Sequence, residues 1–264
     1  MGFFDNLKIN KAGATAYRIH VQGMQLRKQG KYEEGEAKLA EALKLYDEAY
    51  KLGFRKAGAM QGYALLLMRS GNFERAREIM LETSKNKEMS VQERFSLRVD
   101  YSICQWKMGQ LDKAIETIRI AADGNMSGLV YTTLGMYLVE QARRTGDFEE
   151  AIRFNEEAYE YDDEDPGVLD NMGQMYLEIS EKTRSEGDAA LADEQRAKAV
   201  GYLAKAYEIK PEQISSSYFY AKALHENGDD AKAREVINAA MKIPFSAILQ
   251  ITKEQAEALR REIG

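Results

Sequence analysis

A six-residue motif recurs along this 264-residue chain at intervals too even for chance, and it constrains the fold more than any other feature. It opens on glycine, passes a polar residue and usually an aromatic or aliphatic one, and closes on alanine or glycine. The copies are Gly30-Lys-Tyr-Glu-Glu-Gly35, Gly71-Asn-Phe-Glu-Arg-Ala76, Gly109-Gln-Leu-Asp-Lys-Ala114, Gly146-Asp-Phe-Glu-Glu-Ala151 and Gly228-Asp-Asp-Ala-Lys-Ala233, with Gly187-Asp-Ala-Ala-Leu-Ala192 a weaker one. Successive leading glycines stand 41, 38, 37, 41 and 41 residues apart. A period of this size marks stacked supersecondary units. Each glycine separates two stretches of helical apolar periodicity, which predicts two antiparallel helices joined by a tight turn. Glycine suits that turn because the chain leaves the first helix through a left-handed conformation that strains a Cβ.

Small residues inside the predicted helices have a second use. Gly23, Ala64, Gly135, Gly173 and Ala221 fall in first helices, and Ala42, Ala121, Ala158, Ala206 and Ala240 in second helices, where a short side chain lets backbones approach. Tyr17, Tyr63, Tyr101, Leu134, Met172 and Tyr220 offer bulk to fill against them. Composition agrees: proline is scarce, with 3 residues, and 44% apolar content excludes wholesale disorder.

These residues resemble the tetratricopeptide repeat family, whose signature spaces a bulky residue, Leu-Gly, an aromatic, Gly-x-Tyr, alanine and proline over about 34 residues. Leu134-Gly135 with Leu138 and Gly146-Asp-Phe148, Met172-Gly173 with Tyr176, and Ala199 to Pro211 carry the likeness best. The resemblance is to a bacterial-type soluble member with about six repeats. It implies an all-α fold, a right-handed superhelical solenoid of antiparallel helix pairs, with repeats near 15–52, 53–90, 91–127, 128–165, 166–211 and 212–244. Two repeats depart from the family spacing. Gly135 to Gly146 and Gly146 to Pro166 are both stretched, and the following repeat is stretched further, which predicts paired lengthening of both helices in each. The register of the third repeat stays open within a residue.

Terminal units lack a neighbour to cover their apolar faces. Thr252-Lys-Glu-Gln255 is a capping-box start to a helix bearing Ala256, Leu259 and Ile263, so residues 245–264 are expected to end in a capping helix. Residues 1–14 form a short amphipathic segment with Phe3, Phe4 and Leu7 at helical spacing. Docking on the first repeat is its favoured role, ahead of filling a groove or touching a membrane.

No catalytic constellation emerges, so an enzyme is not expected, and neither is a cofactor or metal. The glycines sit at helix turns rather than in a phosphate-binding loop. One cysteine, Cys104, and two histidines, His20 and His225, build neither a disulfide framework nor a usual zinc site, which suits the cytoplasm. Asp162-Asp-Glu-Asp165 lacks the ligand alternation and glycine of a calcium loop and reads as a solvated connection. The net charge of −6 conceals an asymmetry: residues 1–70 carry 12 basic and 7 acidic side chains, and residues 129–211 carry 9 and 19. Nucleic acid is therefore not an expected partner.

In the family the first helices line a concave groove. Carried over by position, the groove residues are Tyr17, His20, Met24 and Arg27, then Gln61, Leu65 and Met68, then Thr132, Met136 and Val139, then Asp170 and Gln174, and finally Tyr218 and Lys222. Trp106 or Ile103 joins them according to the register of the third repeat. For each residue, ordinary packing between repeats is the alternative. The set lacks the Lys and Asn pattern of the two-carboxylate clamp, and its methionines suit an apolar or amphipathic peptide. The expected function is a scaffold or adaptor that binds a partner's peptide or helical segment. A sensor whose superhelix responds to a bound peptide or small ligand is the other expectation.

Overall fold

Helices follow one another along the chain, most of them paired into antiparallel hairpins. The computed structural model describes the backbone of residues 3–264 and the side chains of residues 7–264. Among the described residues there are thirteen α-helices and no strand. The first are α1 (Phe3–Lys28) with α2 (Tyr32–Lys51) and α3 (Ala57–Arg69) with α4 (Phe73–Thr83), followed in the chain by α5 (Val91–Lys107) and α6 (Leu111–Ala122). They continue as α7 (Gly128–Thr145) with α8 (Glu149–Tyr161), α9 (Pro166–Ser185) with α10 (Ala189–Ile209), and α11 (Ile214–Glu226) with α12 (Asp230–Ala240), before α13 (Lys253–Ile263). All six motif glycines lie in turns between successive helices with φ between 75° and 100°, the left-handed region that favours glycine.

The chain divides into two compact units. Unit 1 is Met1–Gln110 with Ser246–Ile248, and unit 2 is Leu111–Phe245 with Leu249–Gly264. The boundary falls in the turn of the third motif.

In unit 1, α1 and α2 meet backbone to backbone. A Cβ on Gly23 would stand 2.8 Å from Leu39 and 3.1 Å from the Gly35 carbonyl, and a Cβ on Gly35 would stand 3.1 Å from the Gly23 carbonyl. Tyr46, Met60, Met68, Ile79 and Met80 fill the interior behind this contact with almost no exposure. The N-terminal half of α1 runs past position 14 without a break. Ile9 and Ala12 pack on the unit 1 core, and Gly13 lies against the Phe54 ring. The side chains of Phe3 and Phe4 lie outside the described ones.

Unit 2 has its own close approach, of a glycine to a leucine side chain. A Cβ on Gly173 of α9 would approach Leu203 of α10 to 2.4 Å. These two helices, 20 and 21 residues long, lengthen together as the spacing predicts. The preceding hairpin differs. α7 has 18 residues but α8 only 13, and the added residues sit in the connections on either side of α8. The acidic run Asp162–Asp165 is one of those connections. Asp165 accepts the Gly167 and Val168 amides at 2.8 and 3.0 Å, capping α9, and Pro166 opens that helix where its missing N–H costs nothing. α13 begins at the Thr252/Gln255 capping box and buries Ala256, Leu259 and Ile263, packing on α11 and α12. Among the described residues, no helix is long and apolar enough to cross a membrane.

Close approach of helices makes some glycines irreplaceable and leaves others free. A Cβ on Gly135 would stand 2.4 Å from Asn155 Oδ1 and 2.8 Å from Asn171 Nδ2, whereas one on Gly201 of α10 meets nothing within 4 Å. Gly135→Ala is expected to lower stability by about 1–3 kcal/mol in urea denaturation. Gly201→Ala, in an exposed helix interior, is expected to raise it by roughly 0.5–1 kcal/mol. Equal effects at the two positions would show that the close approach is not the constraint.

Candidate partner-binding faces

Within each unit the first helices of successive hairpins lie side by side. In unit 1, α3 packs against both α1 and α5, and in unit 2, α9 packs against both α7 and α11. The expected groove residues fall on these helices, but their surroundings differ sharply.

In unit 1, Tyr17 is half exposed, Met24 and Leu65 are half-buried against the core, and Met68 is sealed inside it. His20 is buried, with its Nδ1 3.3 Å from Tyr46 Oη. Burial, reinforced by the positive charge of Arg69, holds its pKa below the ordinary histidine value. Gly62 makes room for this pair, since a Cβ there would stand 3.0 Å from both atoms. Arg27 and Arg69 converge on one oxygen of Glu36, the Arg69 contact being 2.9 Å. Gln61 Nε2 donates to Asp100 Oδ2 at 2.6 Å, bridging α3 to α5. Burial pushes the Asp100 carboxyl up to about 6, against the opposing pull of that hydrogen bond. Trp106 is half-buried with the Lys107 ammonium 5.0 Å from its ring centre, and Ile103, three residues earlier on α5, is half-buried too. At the C-terminal end of α3, the Ala247 amide donates to the Arg69 carbonyl at 3.0 Å, and Ile248 packs against the unit 1 core.

In unit 2, Val139, Asp170 and Gln174 are buried, and Thr132, Met136, Tyr218 and Lys222 are intermediate. Thr132 Oγ1 donates to the Gly128 carbonyl at 2.8 Å. Ser215 Oγ donates to Asp170 Oδ2 at 2.5 Å and Gln213 Nε2 reaches the same oxygen at 3.4 Å, tying α9 to the start of α11. Burial drives the Asp170 carboxyl up to about 6, the surrounding hydroxyls and amides offsetting part of that rise. Gln174 exchanges two hydrogen bonds with Gln250, at 2.8 and 3.2 Å. Farther along, Arg143 Nε meets Glu178 at 2.6 Å and Lys222 Nζ meets Glu181 at 3.0 Å, so ion pairs lace α7, α9 and α11 together. Burial opposes the Lys222 charge, but Glu181 and its acidic neighbours outweigh it and raise the pKa.

Several contributors were not signalled by period or motif. Asp100, Ser215 and Gln250 belong to these clusters, as do two buried amides: Asn155 donates to the Ala151 carbonyl at 2.9 Å, and Asn171 to the Thr132 carbonyl at 2.9 Å. Polar residues inside otherwise apolar helix faces were the available hint. Cys104 is fully buried, its thiol pushed up to about 11 chiefly by burial, so it is a poor nucleophile. His225 Nδ1 pairs with Asp230 at 2.6 Å at the surface. A separate surface cavity of about 580 Å³ is lined by α6 residues from Asp112 to Ile120, by Asp123 just beyond that helix and by Gln141 of α7, and holds none of the expected residues.

Comparison with known proteins follows the same pattern. The family model for the tetratricopeptide repeat matches residues 20–85 and 184–246. BBSome complex member BBS4 of Bos taurus is 25% identical over 167 residues, 63% of this chain, and the chain spans only 29% of that relative's length. A tetratricopeptide repeat protein from Parabacteroides merdae superimposes with a TM-score of 0.66 at 14% identity, covering 94% of this chain and 84% of that one. A thermophilic tetratricopeptide repeat protein of Thermus thermophilus gives 0.54 at 18% identity, covering 80% and 99%.

Because Asp100 and Asp170 are both held above the ordinary carboxyl range, the folded chain binds their protons more tightly than the unfolded chain does. The stability this contributes is fully present below about pH 4 and is lost as pH rises through the folded value near 6. Asp100→Asn and Asp170→Asn keep the shape without the charge. Each is expected to be more stable than the parent at neutral pH, on the order of 1–2 kcal/mol, with the advantage vanishing near pH 4. Urea unfolding at the two pH values measures this, and an advantage independent of pH would contradict it.

Proposed function

We propose that the chain, two stretches of which match the tetratricopeptide repeat family model, acts as a non-catalytic scaffold or adaptor, binding a partner's peptide or helical segment on the faces formed by its first helices. The observation that carries this reading is the side-by-side placement of α7, α9 and α11. It sets half-buried Met136, Tyr218 and Lys222 on the two helices that flank α9, which carries the buried polar groups of Asp170 and Gln174. Half-buried apolar groups beside anchored polar ones suit the recognition of an amphipathic segment. In unit 1, Tyr17, Met24, Leu65 and Gln61 supply the same mixture on α1 and α3.

The chemistry-bearing residues are engaged in packing rather than poised for reaction: Cys104 is enclosed and His20 is turned to Tyr46. Protein is favoured over nucleic acid as a partner by the acidic excess of residues 129–211, where 19 acidic side chains face 9 basic ones. Membership of an assembly, as the name of the BBS4 relative describes for that protein, is the kind of role we assign to this chain. We place it in the cytoplasm on its single buried cysteine.

Leu65→Glu and Met136→Glu, each introducing charge on a half-buried apolar position, are expected to abolish partner capture in affinity purification from native cells while helicity by circular dichroism stays unchanged. Leu191→Glu, at a position 43% exposed on the second helix α10, is the control and should capture partners like the parent. Undiminished capture by both first-helix variants would remove the reading.

A further inference from the structure

Two helix faces, one in each unit, carry unpaired charges of opposite sign at the same spacing. In unit 1, α1 turns Ile9, Ala12, Ala16 and Ile19 to the core. Away from that side runs a stripe of Leu7, Lys11, Ala14, Arg18 and Val21, all exposed, Leu7 by 60% and Val21 by 45%. Residues three and four apart stand above one another on a helix, so these five form one line. Arg27 is held by Glu36, but exposed Lys8, Lys11, Arg18 and Lys28 pair with no described carboxylate. No aspartate or glutamate occurs between positions 6 and 32 to offset them.

In unit 2, Asp112, Glu116, Arg119 and Asp123 follow the same rhythm along α6 and just past its end. They line the surface cavity of about 580 Å³ together with Ile115, Ile120 and Gln141. Arg119 is engaged by Glu150 at 2.7 Å, and none of the three carboxylates pairs with a described cation. Ile120 is 55% exposed beside them. A groove that combines bare carboxylates with an exposed isoleucine suits a helix whose own face alternates apolar and basic residues.

Laid parallel, the two stripes match position by position. Lys11 faces Glu116 and Arg18 faces Asp123, the second pair seven residues, or about 10 Å, beyond the first. Lys8 comes beside Asp112, and Ala14 faces Arg119, where a small side chain leaves the pair with Glu150 undisturbed. Reversed, the stripes match less well: Asp112 meets Gln22, and Lys8 meets no acid. We infer that α1 of one copy seats in the α6 groove of a second copy, parallel to α6, so that the chain associates head to tail. Each such contact joins two different patches and leaves one of each free on the pair, so further copies can add. Partner binding on the first-helix faces is not needed for this contact.

Sedimentation of the full chain at low salt is expected to show an average mass that rises with concentration through the micromolar range. Raising the salt from about 0.05 to 0.5 M should weaken the association about tenfold, because exposed charges are screened. Arg18→Glu and Glu116→Lys, both at exposed positions, should each weaken it by about tenfold or more. Mixed, the two variants should form a one-to-one pair that grows no further. The intact α1 of one enters the intact groove of the other, and the two altered surfaces repel. Lys11→Glu combined with Glu116→Lys in one chain should restore assembly, whereas Arg18→Glu combined with Glu116→Lys should not. Unchanged circular dichroism across the variants places any loss at the contact rather than in the fold.

A parent that stays monomeric at every concentration, or variants that do not pair when mixed, would overturn the inference. So would loss of assembly in Arg18→Glu with none in Glu116→Lys, which assigns α1 to the α1 of the second copy. Flotation of the full chain with phosphatidylserine vesicles, reduced by Arg18→Glu, in a parent that does not self-associate would give the α1 stripe to a membrane surface instead.

Discussion

The structure depends on how closely the two helices of a hairpin can approach. Where Gly23 faces the Gly35 backbone and Leu39, or Gly173 faces the Leu203 side chain, even a Cβ would not fit without a shift. That contact fixes the crossing of each pair, and the crossing decides which side of the first helix is turned to its neighbours. Once α9 is seated on α10, its remaining faces meet α7 and α11. The line of Asp170, Gln174, Glu178 and Glu181 along α9 then comes into reach of Ser215, Arg143 and Lys222. The arrangement of polar groups is thus a consequence of small residues on a different side of the same helix.

Much of this was legible from sequence because it is local. The turn glycines, the hairpins, the joint lengthening of α9 and α10 and the capping box of α13 all follow from residues within a few turns of one another. The length of α8 was not, because added residues can enter a connection as readily as a helix, and glycine-to-proline spacing does not distinguish the two. Nor was the state of the groove positions. Asp170 and Gln174 sit where family resemblance puts groove residues, but their depth is set partly by Gln250, 76 positions beyond Gln174. Periodicity reports the neighbours within an element and says nothing of a cover that arrives from so far along the chain. The burial of Asp100 beside Gln61 went unread for the same reason.

The electrostatics take a similar form. Acidic residues dominate positions 129–211, yet those at the first-helix face are matched: Glu178 by Arg143 and Glu181 by Lys222. In unit 1 the reverse holds at one point, where Glu36 serves two arginines and the cluster keeps a positive excess. Net charge summed along a stretch of sequence is therefore a poor guide to what a partner would meet at any one face. Pairings across helices redistribute it.

The distance along the chain between Gln174 and Gln250 also has a consequence in time. Synthesis proceeds at about 5–20 residues per second, so α9 is made roughly 4–15 seconds before its cover emerges. The hairpin contacts that seat α9 on α10 are complete in sequence well before that and form far faster. A growing chain therefore passes through an interval in which the face of α9 is bare, with Asp170 in water and free to ionise, before the C-terminal connection closes over it.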